Sequence, residues 1–530
     1  MRKTLLAVFT PLFLLFVPVR CVQSQSIRNK PENVDVLIIG GELLDGSGSA
    51  AQRLDLGING DRIVYLGDSL KDHVKASRSI DASGLILAPG FIDPHTHTAD
   101  DLSTPPRNSN EPYLMQGVTT VVTGNDGSSP LPIADTLRKW EQQGIGTNAA
   151  LLVGMCSVRR KVMGMSDAAP TDAQLADMKK LVDQGMDDGA FGMSAGLFYA
   201  PCSFAKTEEV IELAKVAAAK HGYYDTHMRD ESDYSIGLLG SIRETIRIGQ
   251  DAGLPVHISH IKALGTDVWG QSTEAIKIIQ EAQARGIKVT ADQYPYNASG
   301  TSLVPALVPR WAEAGGREQM LKRFDDPQTR PRLLTEMESN LKRRGGAKSL
   351  LITAAADSNA VGKTLQQIAD ERRQSPLEAA LQIIRAGSND VASFNMSEQD
   401  IENFMKQPWV MTGSDGSPGH PRKYGTFPRK IREYALNRKV ITLPFAIRSS
   451  SGLTAESLGI AQRGFLRVGY FADVAIFDPN TISELSTYEH PEVLARGMRY
   501  VIVNGKIAVD GGKYTGALAG RALIKQSAGR

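Results

Sequence analysis

The chain alternates between two patterns of apolar and polar residues. Near its start, short runs are bounded by glycine and aspartate: Val34-Asp35-Val36-Leu37-Ile38-Ile39 ends in Gly40-Gly41, and Leu54 to Asn59 leads through Gly60-Asp61-Arg62 into Ile63-Val64-Tyr65-Leu66. Runs of this kind predict strands joined as hairpins. The pattern returns near the end, at Ala472-Asp473-Val474-Ala475-Ile476-Phe477 and Tyr500 to Lys506. Between these ends lie continuous apolar runs at Leu85–Asp93, Val118–Gly124, Ala149–Cys156, Ala190–Leu197, Tyr223–Arg229, Val256–Lys262, Lys288–Tyr294 and Trp409–Asp415. Amphipathic helical stretches such as Glu208 to Lys220 and Thr273 to Arg285 separate most of them. Uniformly apolar strands alternating with helices predict a parallel sheet, and eight of them match a (β/α)8 TIM-type barrel.

The expected fold is therefore α/β: a barrel over 89–449 and a small β-sandwich built from both termini, 33–88 and 450–515. The gap between the seventh and eighth strands is too long for a loop. Residues 303–400 are expected to form an insertion that caps the site.

The 530 residues are 42% hydrophobic and 22% charged, with 50 Gly and 26 Pro, which suits a folded enzyme and excludes a coiled coil, a collagen or a disulfide scaffold. Arg2, Lys3 and Arg20 fall in the first 24 residues, which hold no acid; without them the 60 bases become 57 against 58 acids. No basic field is left for nucleic acid. Residues 1–24 read as a signal peptide, with a charged start, an apolar core from Leu5 to Val19 and small residues at Val22-Gln23-Ser24. The core falls short of a spanning helix, and Arg20 argues against lipidation of Cys21. An exported protein, periplasmic or extracellular and without stable membrane insertion, is expected. Cys156 and Cys202 are then the remaining cysteines, expected as two buried thiols rather than a disulfide. The oligomeric state is left open.

Candidate chemistry sits at the strand ends, where barrel enzymes place it. Pro94-His95-Thr96-His97 closes the first run; residues two apart in a strand share a face, so both imidazoles can reach one metal. His227 closes the fifth run, His260 the sixth and Asp415 the eighth. Four such stations predict a hydrolytic metal site. His257, three residues before His260, is expected to be structural. Arg229 and Glu231 are expected either to orient ligands or to pair with each other.

This constellation resembles the amidohydrolase superfamily and, within it, the D-aminoacylase (N-acyl-D-amino-acid deacylase) family. The resemblance also rests on Gly117 to Asn125, on Gly192-Met193-Ser194-Ala195-Gly196-Leu197, on Ser259-His260-Ile261-Lys262, on Asp292-Gln293-Tyr294-Pro295-Tyr296, and on His420 to Arg429. It implies that His95, His97 and Asp415 bind one metal and that His227 and His260 bind a second. The family has a cysteine after the second strand where this chain reads Gly124-Asn125-Asp126-Gly127. Asp126 is the candidate bridging ligand, since no lysine lies on the fourth strand to serve instead. A carboxylate is a harder donor than thiolate, so manganese, iron or cobalt becomes more plausible beside the zinc that four imidazoles favour.

The implied reaction is hydrolysis of the amide bond of an N-acyl-D-amino acid, a small-molecule substrate. Asp415 would accept a proton and return it to the leaving amine. Lys262, Tyr294 and Arg422 match family positions near the substrate carboxylate, with Ser299 or Thr301 adding a hydroxyl. His420 is a further candidate for lining the pocket. Two other readings are carried: an amidohydrolase of cyclic amides or dipeptides, and a non-catalytic exported metal-binding protein.

Overall fold

The computed structural model describes residues 31–525; the expected signal peptide and Cys21 lie outside them. Eight parallel strands run in chain order: Phe91–Thr96, Val118–Thr123, Asn148–Leu151 continued by Val153–Gly154, Gly192–Gly196, Tyr223–His227, Val256–Ile258, Val289–Gln293 and Val410–Thr412. Each pairs in parallel with the next. The last segment returns to the first: Thr96 bridges Gly416, the Asp415 N–H donates to the His95 carbonyl at 2.9 Å, and the His97 N–H donates to Gly416 at 3.1 Å. The ring is a closed (β/α)8 barrel.

Every residue of Val118–Thr123 and of Tyr223–His227 is buried, as expected for strands with packed side chains on one face and helices on the other. The helices are amphipathic. Thr207–Ala219 buries Val210, Ile211, Leu213, Ala214 and Ala217, the spacing of a single helical stripe. Asp172–Asp187 starts with a capping box between Thr171 and Gln174, which satisfies amides left free at a helix start.

The first strand differs from expectation. The run Leu85–Asp93 divides at Gly90: Ile86–Pro89 pairs antiparallel with Val474–Phe477 outside the barrel, and the barrel strand begins at Phe91. A Cβ on Gly90 would lie 2.2 Å from Thr119 Oγ1, so only glycine fits where the chain passes from one sheet to the other.

Two sheets face each other beside the barrel. One orders Arg62–Gly67, Asp55–Asn59, Asn33–Ile39 and Lys75–Asp81; the other orders Glu42–Leu43, Ile86–Pro89, Val474–Phe477, Met498–Val503, Lys506–Asp510 and Lys513–Tyr514. Ile38, Ile58, Ile63, Leu87, Ile476 and Ile502 fill the space between them. This sandwich draws on both ends of the chain.

After the seventh strand a separate unit appears. Its antiparallel sheet orders Ala298–Thr301, Asn389–Phe394 and Leu350–Ala355, and its own core includes Leu303, Phe324, Leu333, Ile368 and Ile384. The unit opens at Ala298 rather than at 303, so Ser299 lies on its edge strand. The helix Glu398–Met405 then rejoins the barrel, where Asn403 Nδ2 donates to Ser272 Oγ at 3.0 Å.

The cysteines depart from expectation as well. Cys156 and Cys202 form a disulfide, with Cα atoms 5.2 Å apart across 46 residues of sequence. Cys156 opens the helix after the third strand and Cys202 sits in the turn after the fourth. Adjacent parallel strands bring their following loops together, and the separation lies in the range a disulfide requires.

Candidate metal centre

The six expected ligands converge at the carboxyl ends of the strands. The donor atoms of His95, His97, Asp126 and Asp415 all lie within 4.8 Å of one another, as do those of Asp126, His227 and His260. Asp126 belongs to both groups. Its Oδ1 is 3.6 Å from His95 Nε2 and 3.5 Å from His260 Nε2, and its Oδ2 is 3.6 Å from His97 Nε2 and 3.8 Å from His227 Nδ1. Asp415 Oδ1 lies 3.1 Å from His97 Nε2 and 3.7 Å from His95 Nε2, and His227 Nδ1 lies 2.9 Å from His260 Nε2.

Donors bonded to zinc at about 2.0–2.2 Å and tetrahedral angles stand about 3.4 Å apart, which is the spacing seen here. Both ring nitrogens of His95 and Asp126 Oδ1 are buried without a hydrogen-bond partner. Buried polar atoms seldom stay unpaired; His95 Nε2 and Asp126 Oδ1 are paired once a cation sits between them, while His95 Nδ1 faces the Asp292 carboxylate at 3.7 Å. The residues therefore fit a one- or two-ion site with Asp126 shared.

Backbone geometry aims the ligands. Asp126, His260 and Asp415 take φ of 54°, 35° and 47°, in the left-handed region that side chains other than glycine seldom adopt. Strain of this kind concentrates at functional sites.

Buried carboxylates brace the ligands from below. Asp93 Oδ1 accepts from the His95 N–H at 3.2 Å and the Ser414 N–H at 3.0 Å, tying two ligand loops together; burial pushes its carboxyl up to about 7. Asp292 accepts from the His260 N–H at 3.1 Å, lies 2.9 Å from His257 Nε2 and 3.7 Å from His95 Nδ1. His257 is thus a structural partner, as expected. Burial works to raise the Asp415 carboxyl, but the Arg422 guanidinium and the imidazoles of His260, His97 and His95 overcome it and hold it below the usual range.

A cavity of about 470 Å3 opens over these ligands and is lined by Lys262, Tyr294, Ser299, Thr301, His420 and Arg422, among others. Its size suits a small molecule. Tyr294 stands between the two expected cations: Lys262 Nζ is 5.9 Å from its ring centre and Arg422 Cζ 4.8 Å. Both cations also face carboxylates of the protein. Lys262 Nζ donates to Glu231 at 2.7 Å, and Arg422 Nη1 lies 2.8 Å from Asp415 Oδ2. His420 is held by the Ala298 carbonyl, 3.1 Å from its Nε2, and by the Arg422 N–H.

The amidohydrolase family model (Amidohydro_3) matches residues 78–509. The chain belongs to the amidohydrolase family. Over 521 residues it is 36% identical to the D-aminoacylase of Alcaligenes xylosoxydans xylosoxydans, an alignment covering 93% of this chain and 98% of that protein. Over 501 residues it is 31% identical to the N-acyl-D-glutamate deacylase of the same organism, covering 89% and 93%. Its structure is similar to that of the N-acyl-D-glutamate deacylase from Bordetella bronchiseptica, solved with zinc and a phosphonate mimic of the tetrahedral intermediate: TM-score 0.80, 30% identity, 93% of this chain and 100% of the other.

Two features of this amidohydrolase site were not resolved by sequence. Glu231 does not pair with Arg229, which instead binds Glu244 at 2.9 Å. Glu231 contacts the outer nitrogens of both imidazoles, 3.0 Å from His260 Nδ1 and 3.5 Å from His227 Nε2. Its position four residues after His227 was the available signal. The second feature is Arg344, which lines the cavity from the inserted unit while being 2% exposed. No motif marks it.

Proposed function

We propose that this amidohydrolase cleaves the amide bond of N-acyl-D-amino acids, releasing a carboxylate and a free D-amino acid. The observation that carries the reading is the convergence of four imidazoles and two carboxylates beneath a cavity that also holds Lys262, Tyr294 and Arg422. The relatives named D-aminoacylase and N-acyl-D-glutamate deacylase support the substrate class.

His95, His97, Asp126 and Asp415 would hold one divalent ion, and Asp126, His227 and His260 a second. When bound, such an ion supplies Lewis acidity and lowers the pKa of water. Zinc is the expected metal, with manganese, iron or cobalt favoured more than at a thiolate site because Asp126 offers oxygen. Asp415 takes the proton released as water adds to the carbonyl carbon, then gives it to the nitrogen as the C–N bond breaks. Arg422 steadies the Asp415 carboxylate through Oδ2, which leaves Oδ1 turned toward His97. Lys262, Tyr294 and Arg422 orient the substrate carboxylate, with Ser299 as an added hydroxyl. Residues 1–24 would direct export to the periplasm or beyond.

The test joins metal analysis of the purified protein to a screen of N-acetyl and long-chain N-acyl D- and L-amino acids. Turnover of D-substrates by protein carrying one or two ions is expected. Activity confined to L-substrates, or to ring opening of cyclic amides, overturns the reading.

A further inference from the structure

The inserted unit delivers a cation into the cavity. Arg344 caps the carboxyl end of the helix Arg330–Arg343, where the helix dipole favours positive charge. Gly345 and Gly346 follow with φ of 88° and 84°, turning the chain away sharply. The Arg344 side chain reaches back toward the barrel and lines the cavity. Its Nε donates to Tyr234 Oη at 2.6 Å and its Nη1 to Ser299 Oγ at 3.5 Å. Its guanidinium lies 5.9 Å from the Phe198 ring centre, and that ring is stacked on His227 at 5.5 Å.

What sets Arg344 apart is its charge balance. Lys262 faces Glu231, Arg422 faces Asp415, and Glu313 in the same wall faces Arg310 at 2.7 Å. Among the described residues Arg344 has no carboxylate within ion-pair distance, although it is 2% exposed. Arg160 also faces the cavity but is exposed to solvent. A buried charge without a counter-charge is costly, and the cost is relieved when an anion arrives. A guanidinium carries five N–H donors, and two bonds to neutral hydroxyls leave donors for a carboxylate.

We propose that Arg344 receives a second carboxylate of the substrate. It rests on the deacylase reading and sharpens it: favoured substrates are N-acyl-D-amino acids with two carboxylates. The second is either on the amino-acid side chain or at the far end of a dicarboxylic acyl group. The α-carboxylate stays with Lys262, Tyr294 and Arg422.

The experiment compares kcat/KM of the metal-loaded enzyme on matched pairs. N-acetyl-D-glutamate against N-acetyl-D-glutamine reports the side chain; N-succinyl-D-alanine against N-butyryl-D-alanine reports the acyl end. The wild type is expected to prefer the dicarboxylate in one pair. Arg344→Met is expected to cut that substrate's kcat/KM about a hundredfold while moving its neutral partner no more than about threefold. Equal losses on both members, or no preference in the wild type, overturn the Arg344 subsite while turnover of neutral substrates leaves the deacylase reading standing. No turnover of any of them overturns both. If Arg344→Met does not fold, inhibition of the wild type decides: D-glutamate against D-glutamine, and succinate against butyrate. At least about tenfold tighter inhibition by a dianion upholds the subsite, and equal inhibition overturns it.

Discussion

One carboxylate oxygen of Glu231 lies 3.0 Å from His260 Nδ1. The same side chain reaches His227 Nε2 at 3.5 Å and receives a hydrogen bond from Lys262 at 2.7 Å. A partner on the outer nitrogen fixes the tautomer and direction of a ligating imidazole. Glu231→Gln is expected to weaken metal retention by about 10- to 100-fold, with turnover recovering in excess metal. Metal titration after chelation measures this; unchanged retention would make Glu231 a partner of Lys262 alone.

Asp415 is the proposed proton carrier. Asp415→Asn keeps the size of the side chain and an oxygen near His97 but cannot accept the proton. Turnover is expected to fall by about 10²–10⁴-fold with metal still bound. Activity close to wild type in metal-replete protein would remove Asp415 from proton transfer.

Asp126 touches donors of both groups. Asp126→Cys replaces a hard oxygen by a soft sulfur at the shared position. Reconstituted apoprotein is expected to shift its metal preference toward zinc and away from manganese. An unchanged order of reactivation by zinc, cobalt and manganese would show that Asp126 does not touch the ions.

The Cys156–Cys202 bond closes a loop of 46 residues in sequence separation next to the site. Replacing both cysteines by alanine is expected to lower unfolding stability by about 2–4 kcal/mol. Denaturant melts of oxidised wild type and the double variant read it directly; coincident curves would show that the bond constrains nothing.

Lys430 is buried beneath the eighth strand, with its Nζ donating to Thr412 Oγ1 at 2.8 Å. Burial pulls its ammonium from 10.5 down to about 7. The unfolded chain therefore binds more protons than the folded one between those values, so stability rises with pH across that window. Lys430→Met removes the penalty. It is expected to stabilise by a few kcal/mol at and below about pH 7, with the gain fading toward pH 10.5. A pH-independent difference between the two melting curves would contradict the shift.

The barrel was legible because a strand buried on both faces leaves a run with almost no polar interruption, and because four histidines fall where such runs end. His227 and Asp415 could be placed by that rule alone. What sequence hides is where a run changes partners. Leu85–Asp93 reads as one strand since both halves are apolar, and only the clash at Gly90 shows where one sheet stops. Asp126 follows the second strand in a turn, and only the convergence of strands one, two, five and six brings its carboxylate to His95, His97, His227 and His260. Arg344 and the disulfide depend on contacts between segments far apart in the chain, and no periodicity reports those.

The pairing of Ile86–Pro89 with Val474–Phe477 bears on how the molecule is made. The segment that leads into the first metal-binding strand pairs on one side with Glu42–Leu43, but its other neighbour lies almost four hundred residues downstream. A nascent chain therefore carries the His95–His97 turn on an unsupported edge until the closing strands have been synthesised. Long-range pairings of this kind are slow and leave apolar edges open to aggregation. Removal of the final sixty or so residues takes away Val474–Phe477, and with it the support of a metal site that those residues never touch.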